Sequence, residues 1–268
     1  MIREATRAVA PAALEVIVLG AAPSAPQVDG QGSGLLVRAG DDTLLVDIGT
    51  GVVPRLARVM DPYRLTAIIV THLHADHFLD LVSYRYGLPW ARVHGPRVPV
   101  YLPPGGRGRL ADLAIAISEG EDFFTRGLDL REYSPDASLT VGSLAVSFIP
   151  THHYVPAWGV AIRAAGGRPR IVVSSDTGPN PSLVEAARGA DLLVMEATLE
   201  DADQDVAPRG HLCADEAVDT GGQAGVRRVL LTHLPTDRRA ALRADYRGSR
   251  PPVSVARPGM RLVVRAEG

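Results

Sequence analysis

Residues 71–77 read Thr71-His72-Leu73-His74-Ala75-Asp76-His77 and follow directly on an apolar run at residues 66–70. Three histidines and one aspartate therefore fall within six residues. In an extended chain the side chains of His72 and His74 point to the same side, so both imidazoles can reach one metal ion. Imidazole and carboxylate groups are ligands that suit zinc. The segment predicts a metal site at the end of a buried strand.

Apolar runs of strand length recur on both sides of this segment, separated by turns rich in Gly or Asp. The predicted strands are residues 14–19, 34–38, 43–48, 66–70, 98–102, 128–133, 143–149, 159–162, 170–174, 191–195, 229–231, 253–255 and 262–264. Helices are predicted directly after His77 and at residues 53–60, 107–118, 181–188, 214–224 and 236–246. This order favours two sheets packed face to face with helices outside, although periodicity alone does not distinguish it from a three-layer α/β fold.

The His-x-His-x-Asp-His segment resembles the hallmark of the metallo-β-lactamase superfamily. The resemblance extends from about residue 15 to residue 234 and implies an α/β fold, an αββα sandwich of two mixed β-sheets with outer helices. Since no repeat or polar linker divides the chain, residues 1–268 are expected to form a single metallo-β-lactamase-like hydrolase domain, with residues 1–13 as a flexible N-terminal tail.

Further residues extend this resemblance toward the ribonuclease Z and phosphodiesterase branch. Asp47 stands where the family has a structural aspartate, and His153 precedes Gly159 by six positions as in ribonuclease Z. The resemblance implies two divalent metal ions, with zinc expected and manganese or iron as alternatives. Its first-metal ligands would be His72, His74, His153 and Asp176. Its second-metal ligands would be Asp76, His77, Asp176 and His233.

Three residues are expected to take part in catalysis. Asp76 would ligate a metal and orient the nucleophile. Glu196 and His211 resemble a Glu and a His of the ribonuclease Z branch, in which the His assists proton transfer at the scissile phosphate. The sequence departs from that branch because Met195 replaces a histidine and Leu212-Cys213 replaces small hydroxyl residues.

The resemblance implies hydrolysis by a metal-bridging hydroxide, most simply of a small phosphodiester-type substrate. Hydrolysis of an ester, thioester, lactone or sulfate ester at the same site is an alternative. Transfer RNA 3′-processing, an iron-dependent oxidoreductase and a non-catalytic metal-binding protein are the remaining alternatives.

Nucleic acid is not expected as a partner. Ribonuclease Z enzymes carry a long basic arm between the third ligand and the bridging aspartate, but here His153 and Asp176 are only 23 positions apart. The net charge of −2 agrees, because phosphate contacts dominate nucleic-acid affinity. A small-molecule substrate is expected instead, and the resembling branch suggests a homodimer. The aromatic residues considered for the substrate pocket, with filling of the core as the alternative, are Tyr84, Trp90, Phe123, Phe124, Tyr154 and Trp158.

Composition excludes several other classes of protein. All 28 basic residues are Arg, which excludes Schiff-base enzymes, phosphate-binding loops and protein kinases, since each requires a Lys. Cys213 is the single cysteine, so an internal disulfide is excluded and a cytoplasmic location is expected. No run approaches the roughly 18–20 apolar residues of a membrane span.

Overall fold

The computed structural model describes residues 13–28, 30–88, 97–164, 167 and 170–265. Its strands are β1 Ala13–Gly20, β2 Gly34–Ala39, β3 Asp42–Val46, β4 Ala67–Ile69, β5 Val98–Leu102, β6 Leu128–Glu132, β7 Leu139–Val141, β8 Leu144–Pro150, β9 Trp158–Ala164, β10 Arg170–Val173, β11 Leu192–Glu196, β12 Val229–Thr232, β13 Val253–Val255 and β14 Arg261–Arg265. Its α-helices are α1 Val52–Ala57, α2 Ala75–Phe78, α3 Asp80–Tyr86, α4 Gly106–Ala116, α5 Pro181–Ala187, α6 Ala214–Gln223 and α7 Arg239–Asp245.

The strands form two mixed sheets of seven strands each, in the orders β14-β1-β2-β3-β4-β5-β6 and β13-β12-β11-β10-β9-β8-β7. In the first sheet the pairs from β14 to β3 are antiparallel and the pairs from β3 to β6 are parallel. The second sheet repeats this arrangement, with antiparallel pairs from β7 to β10 and parallel pairs from β10 to β13. The change from antiparallel to parallel pairing therefore falls at β3 and at β10.

Alternation along the strands builds the core between the sheets. In β1, Leu14, Val16 and Val18 join a central apolar cluster, whereas Ile17 and Leu19 join a second cluster on the opposite face. Since successive strand side chains point to opposite faces, one strand supplies two layers. The central cluster also contains inward-facing side chains of β8–β11, so the two sheets share one core.

Helices cover the outer face of each sheet. The cluster outside the first sheet includes Leu56, Leu81 and Leu110 from α1, α3 and α4. The cluster outside the second sheet includes Leu183 and Leu242 from α5 and α7. The expected αββα sandwich is thereby confirmed.

The loop after β3 packs closely against α2. A Cβ atom at Gly49 would lie 1.7 Å from the backbone oxygen of Asp76, so only glycine permits this approach. The backbone N–H of Ser33 donates to that same oxygen, and the N–H of Ile48 donates to the oxygen of His77. The backbone of the histidine segment is thus held by the first sheet itself.

Most predicted elements agree with the structure to within one to three residues at each end. The short strand β7 was not predicted, and the helix expected after His77 is two consecutive helices, α2 and α3. Residues 1–12 of the expected N-terminal tail, together with Trp90, lie outside the described residues. None of the helices within the described ranges is long and apolar enough to cross a membrane.

Removing a branched side chain from the shared core should destabilise the fold. Ile162 in β9 is 0% exposed and pairs with Val146 and Ile171 on the neighbouring strands. We expect Ile162→Ala to lower the free energy of unfolding by about 2–5 kcal/mol, the usual cost of such a cavity. Urea denaturation of the purified protein measures this change.

Ile115→Ala is the matched control, because Ile115 lies on α4 and is 54% exposed. Its unfolding free energy should change by no more than about 0.5 kcal/mol. Equal losses for the two variants would contradict the position of the core between the sheets.

Candidate metal centre

Strand ends from both sheets converge at one edge of the sandwich. The histidine segment follows β4 of the first sheet. In the second sheet, His153 follows β8, Asp176 follows β10 and His233 directly follows β12. Packing of the sheets therefore brings together side chains that are far apart in sequence.

Asp176 lies at the centre of these side chains and is 3% exposed. Five imidazoles approach its carboxylate to within 4.0 Å. Its Oδ1 is 3.4 Å from Nε2 of His77. Its Oδ2 lies 3.5–4.0 Å from ring nitrogens of His72, His153, His211 and His233.

The ligand atoms fall into groups on either side of Asp176. One group joins Asp176 to three imidazoles, and the closest contact within it is 3.0 Å between His153 Nε2 and His74 Nδ1. The second group contains Asp76, His77 and His233, with His233 Nε2 3.0 Å from Asp76 Oδ2. A further grouping joins Asp176, His211 and His233. The structure thus brings together every residue that the sequence nominated as a ligand, His72, His74, Asp76, His77, His153, Asp176 and His233.

Hydrogen bonds orient the imidazole rings. Nδ1 of His153 lies 2.8 Å from the carbonyl oxygen of Gly210, and since that oxygen can only accept, Nδ1 donates and Nε2 is free to bind a metal. Nδ1 of His77 is 2.8 Å from Oδ2 of Asp47. This contact orients the His77 ring so that its Nε2 faces Asp176. Partners of this kind fix both the tautomer and the ring direction of a metal ligand.

His72 provides a direct test of whether the site suits a metal. Its Nδ1 has hydroxyl neighbours in Thr71 and Ser175, at 3.2 and 3.3 Å. Within the part of the chain that the structure describes, its Nε2 is buried and has no hydrogen-bond partner. A buried polar atom without a partner requires an explanation such as an ion. Because this atom faces Asp176 at 3.8 Å, the donor set fits a cation.

Burial and charge hold four of the proposed ligands in the protonation states that metal binding requires, whereas for His77 burial would lower the pKa but Asp176 and Asp47 raise it. Burial lowers the pKa of His72, His74 and His153, so their imidazoles are neutral at neutral pH. For Asp176, burial alone would raise the pKa, but the surrounding imidazoles, His233 and His77 first, keep it well below its usual value. Metal ligands must be deprotonated, and these four groups are.

Three residues at the site have strained backbone conformations, which set the directions of their side chains. Asp47, Ser175 and His233 adopt the left-handed backbone region with φ of 62°, 57° and 56°. Only one other non-glycine residue within the described ranges, Ser118, has a positive φ. Such conformations cost about 1–3 kcal/mol each and persist when the surroundings determine them. Their concentration at this edge marks it as the functional part of the fold.

Glu196 lies behind His211 and not among the ligand atoms. It is 1% exposed, and its Oε1 is 2.9 Å from Nδ1 of His211. The same oxygen accepts from the N–H of Thr177, and Oε2 accepts from Thr198. Burial would lower the pKa of His211, but this hydrogen bond raises it. Glu196 is therefore a positioning residue for His211, whose Nε2 is the remaining ring nitrogen.

The aromatic residues considered for the pocket occupy different places. Tyr84, Phe123 and Phe124 are buried in the cluster outside the first sheet, so for these three the core alternative is correct. Trp158 packs against the central core, with its ring at a right angle to that of Tyr133. Tyr154 lies beside the site, with its ring 4.9 Å from that of His153.

The sequence reasoning assigned no role to Thr198, Ser175 or Asp205. Thr198 Oγ1 is 2.6 Å from Nδ1 of His233 and orients that ring. Thr198 is the second residue after Glu196, and in an extended chain alternate residues share a side, which is the signal that was available for it. Ser175 and Asp205 lie in loops, where no periodic signal exists.

Comparisons with known proteins agree with this geometry. The family described as "Beta-lactamase superfamily domain" matches residues 42–234. The chain is 30% identical over 225 residues to "Probable metallo-hydrolase YhfI" of Bacillus subtilis, covering 83% of this chain and 87% of that protein. The crystal structure of YhfI superposes with a TM-score of 0.78 at 27% identity, covering 94% of this chain and 99% of that one.

Two further relatives extend the comparison. "Ribonuclease Z" of Myxococcus xanthus is 28% identical over 302 residues, covering 92% of this chain and 96% of that protein. The structure of a diphosphatase from the PhnP family has the same fold, with a TM-score of 0.72 at 18% identity over 93% of this chain and 97% of that one.

The neighbouring residues His152 and His153 allow a test of the metal centre, because only His153 belongs to a group of ligand atoms. We expect His153→Ala to weaken metal binding by more than the roughly 10–100-fold cost of losing an outer hydrogen-bond partner, because it removes a ligand atom itself. Inductively coupled plasma mass spectrometry after dialysis in metal-buffered solution measures the bound ions.

His152→Ala is the control for this experiment. His152 is exposed and its Nδ1 contacts the carbonyl oxygen of Pro179, outside the groups around Asp176. Its metal content should match the wild type. Equal metal loss from both variants, or from neither, would contradict the assignment.

Proposed function

Because the chain belongs to the β-lactamase superfamily, a family of hydrolytic enzymes, we propose that it is a dinuclear metal-dependent hydrolase of a small phosphodiester-type substrate. The observation that carries this proposal is the position of Asp176, one buried carboxylate between two groups of ligand atoms. A carboxylate has two oxygens and can be shared by two cations.

The proposed ligand sets follow from these groups. His72, His74, His153 and Asp176 would hold one metal ion, and Asp76, His77, Asp176 and His233 the other. Zinc is proposed because imidazole and carboxylate groups make up both sets, with manganese or iron as alternatives. Two such ions, when bound, lower the pKa of water and stabilise negative charge on the reacting group.

Asp76 would orient the nucleophile, and His211 would donate a proton to the leaving group. Asp76 is 4% exposed and ionised, because the hydrogen bond from His233 lowers its pKa despite the opposing effect of burial. It can therefore accept a hydrogen bond from the nucleophile and orient it. His211, held at Nδ1 by Glu196, can donate the proton on Nε2 to the leaving oxygen.

A groove of about 450 Å³ offers space for a small substrate. Its walls include Leu73, which lies between two proposed ligands, and Val155 and Pro156, which follow His153. The groove is predominantly apolar, and Arg109 is a charged residue in its wall. These features suit a small substrate with an apolar substituent.

Ribonucleic acid is a second candidate substrate, since the relationship to ribonuclease Z weighs against excluding nucleic acid. The small-substrate proposal is supported by the segment between His153 and Asp176, in which β9 and β10 pair antiparallel. The net charge of −2 also supports it.

Three broader assignments accompany this proposal. We propose one hydrolase domain for residues 1–268, because both sheets share a core and a site. A cytoplasmic location is supported by the presence of a single cysteine. A homodimer is proposed from the family resemblance alone.

The reaction class can be tested with chelated and metal-reloaded protein. We expect the reloaded protein to cleave bis(p-nitrophenyl) phosphate faster than p-nitrophenyl esters, and the chelated protein to cleave neither. Absorbance of released p-nitrophenolate measures both rates. Faster metal-dependent cleavage of the carboxylic or sulfuric ester would contradict the phosphodiester proposal, as would diester cleavage unaffected by chelation.

The proton donated by His211 should matter only for a leaving group that needs it. For a diester with an alkoxide leaving group, such as a dinucleotide, His211→Ala should lower kcat by about 10²–10⁴-fold, the usual contribution of general acid catalysis. For bis(p-nitrophenyl) phosphate the loss should be much smaller, because p-nitrophenolate leaves without a proton. Equal losses on both substrates would contradict the role of His211.

A further inference from the structure

The segment that carries His211 is an exposed connection between a strand and a helix over much of its length. This His211 loop, residues 197–213, connects β11 to α6, and most of its residues from 200 to 208 are exposed. Val206 is 82% exposed. A catalytic imidazole on such a loop needs a contact that fixes it relative to the metal ligands, because a displacement of about 1 Å can cost 10²-fold in rate.

Tyr154 makes such a contact from outside the loop. Its hydroxyl donates to Oδ2 of Asp205 at 2.5 Å. The same carboxylate oxygen accepts from the backbone N–H of Gly210 at 2.8 Å. One oxygen therefore links the residue that follows His153 to the residue that precedes His211.

Gly210 is fixed from its other side as well. Its carbonyl oxygen is the acceptor for His153 Nδ1, as described above. The Tyr154 ring lies directly against its Cα, so a Cβ atom there would be 2.5 Å from Cζ of that ring. Glycine is the only residue that permits this packing.

The protonation states suit these hydrogen bonds. A tyrosine hydroxyl ordinarily has a pKa of about 10, so it retains its proton at neutral pH. Burial would raise the pKa of Asp205, but the bond from Tyr154 lowers it. At neutral pH the tyrosine is therefore the donor and the carboxylate the acceptor.

We propose that Tyr154 and Asp205 are positioning residues that hold the His211 loop closed over the metal centre and thereby place His211 at the leaving group. Glu196 fixes the ring of His211 from behind, whereas the Tyr154–Asp205 bond fixes the backbone on which the ring stands. The catalytic part of this inference rests on the proposed function of the site.

Tyr154→Phe removes the donor and keeps the ring. With an alkoxide-leaving diester, we expect a loss in kcat of about tenfold, smaller than the loss from His211→Ala, with KM and metal content unchanged. The cleavage of bis(p-nitrophenyl) phosphate should change little. Asp205→Asn should reproduce these effects.

A double-mutant cycle separates positioning from general structural damage. Since Tyr154 acts through His211, Tyr154→Phe should cause no further loss in a His211→Ala background. Equal losses in both backgrounds, or loss of metal from Tyr154→Phe, would overturn the proposal.

Tyr86→Phe is the matched control. Tyr86 is 58% exposed, against 54% for Tyr154, and its hydroxyl also donates to a carboxylate, that of Glu119. This variant should behave as the wild type in every assay. A tenfold loss from Tyr86→Phe as well would show that the effect is not specific to the His211 loop and would overturn the proposal.

A measurement without turnover distinguishes failure of this inference from failure of the proposed function. The chain has eight histidines, so the ring signals of the zinc-loaded protein can be resolved by NMR and that of His211 assigned with His211→Ala. We expect the His211 signal to shift or split in Tyr154→Phe and to stay unchanged in Tyr86→Phe. An unchanged signal in Tyr154→Phe overturns the positioning role, whatever substrate the wild type hydrolyses.

Discussion

A single buried carboxylate, that of Asp176, determines how the rest of the site must be built. Removing a charge from water is costly unless opposite charge and hydrogen-bond donors compensate for it. Here five imidazoles surround a side chain that is 3% exposed, and its pKa stays well below the usual value despite burial. Two of these imidazoles, His72 and His153, have lowered pKa values because they are buried, so they are neutral and leave room for a cation beside the carboxylate. The buried, unpartnered Nε2 of His72 points to the same cation.

The αββα sandwich is the means by which these groups meet. His72 and His77 stand after β4 of one sheet, whereas Asp176 and His233 stand after β10 and β12 of the other. Their separation is therefore set by packing between the sheets, which close-packed apolar side chains hold nearly constant. The strained φ values at Asp47, Ser175 and His233 show that this packing also determines the directions of the side chains.

The fold and the ligand cluster could be predicted from the family resemblance, which the His72–His77 segment carries as a local signal. The spacing in the His72–His77 segment and the strand ends before Asp176 and His233 can be read without coordinates. The aromatic residues gave no such signal. Phe124 and Tyr154 both have large aromatic side chains, but Phe124 fills the core and Tyr154 borders the site. The contact of Tyr154 with Asp205 joins loops 51 positions apart, which no periodicity encodes. Long-range contacts between irregular segments form only when the whole fold packs together. Such contacts therefore could not be predicted from the sequence.

The proposed function requires two metal ions that share Asp176. Anomalous X-ray diffraction from crystals of the zinc-loaded protein, recorded on both sides of the zinc absorption edge, tests it most directly. We expect two anomalous peaks about 3.5–4 Å apart, the usual spacing of two-metal sites, with a carboxylate oxygen of Asp176 beside each. A single peak, or two peaks of which only one borders Asp176, would contradict it.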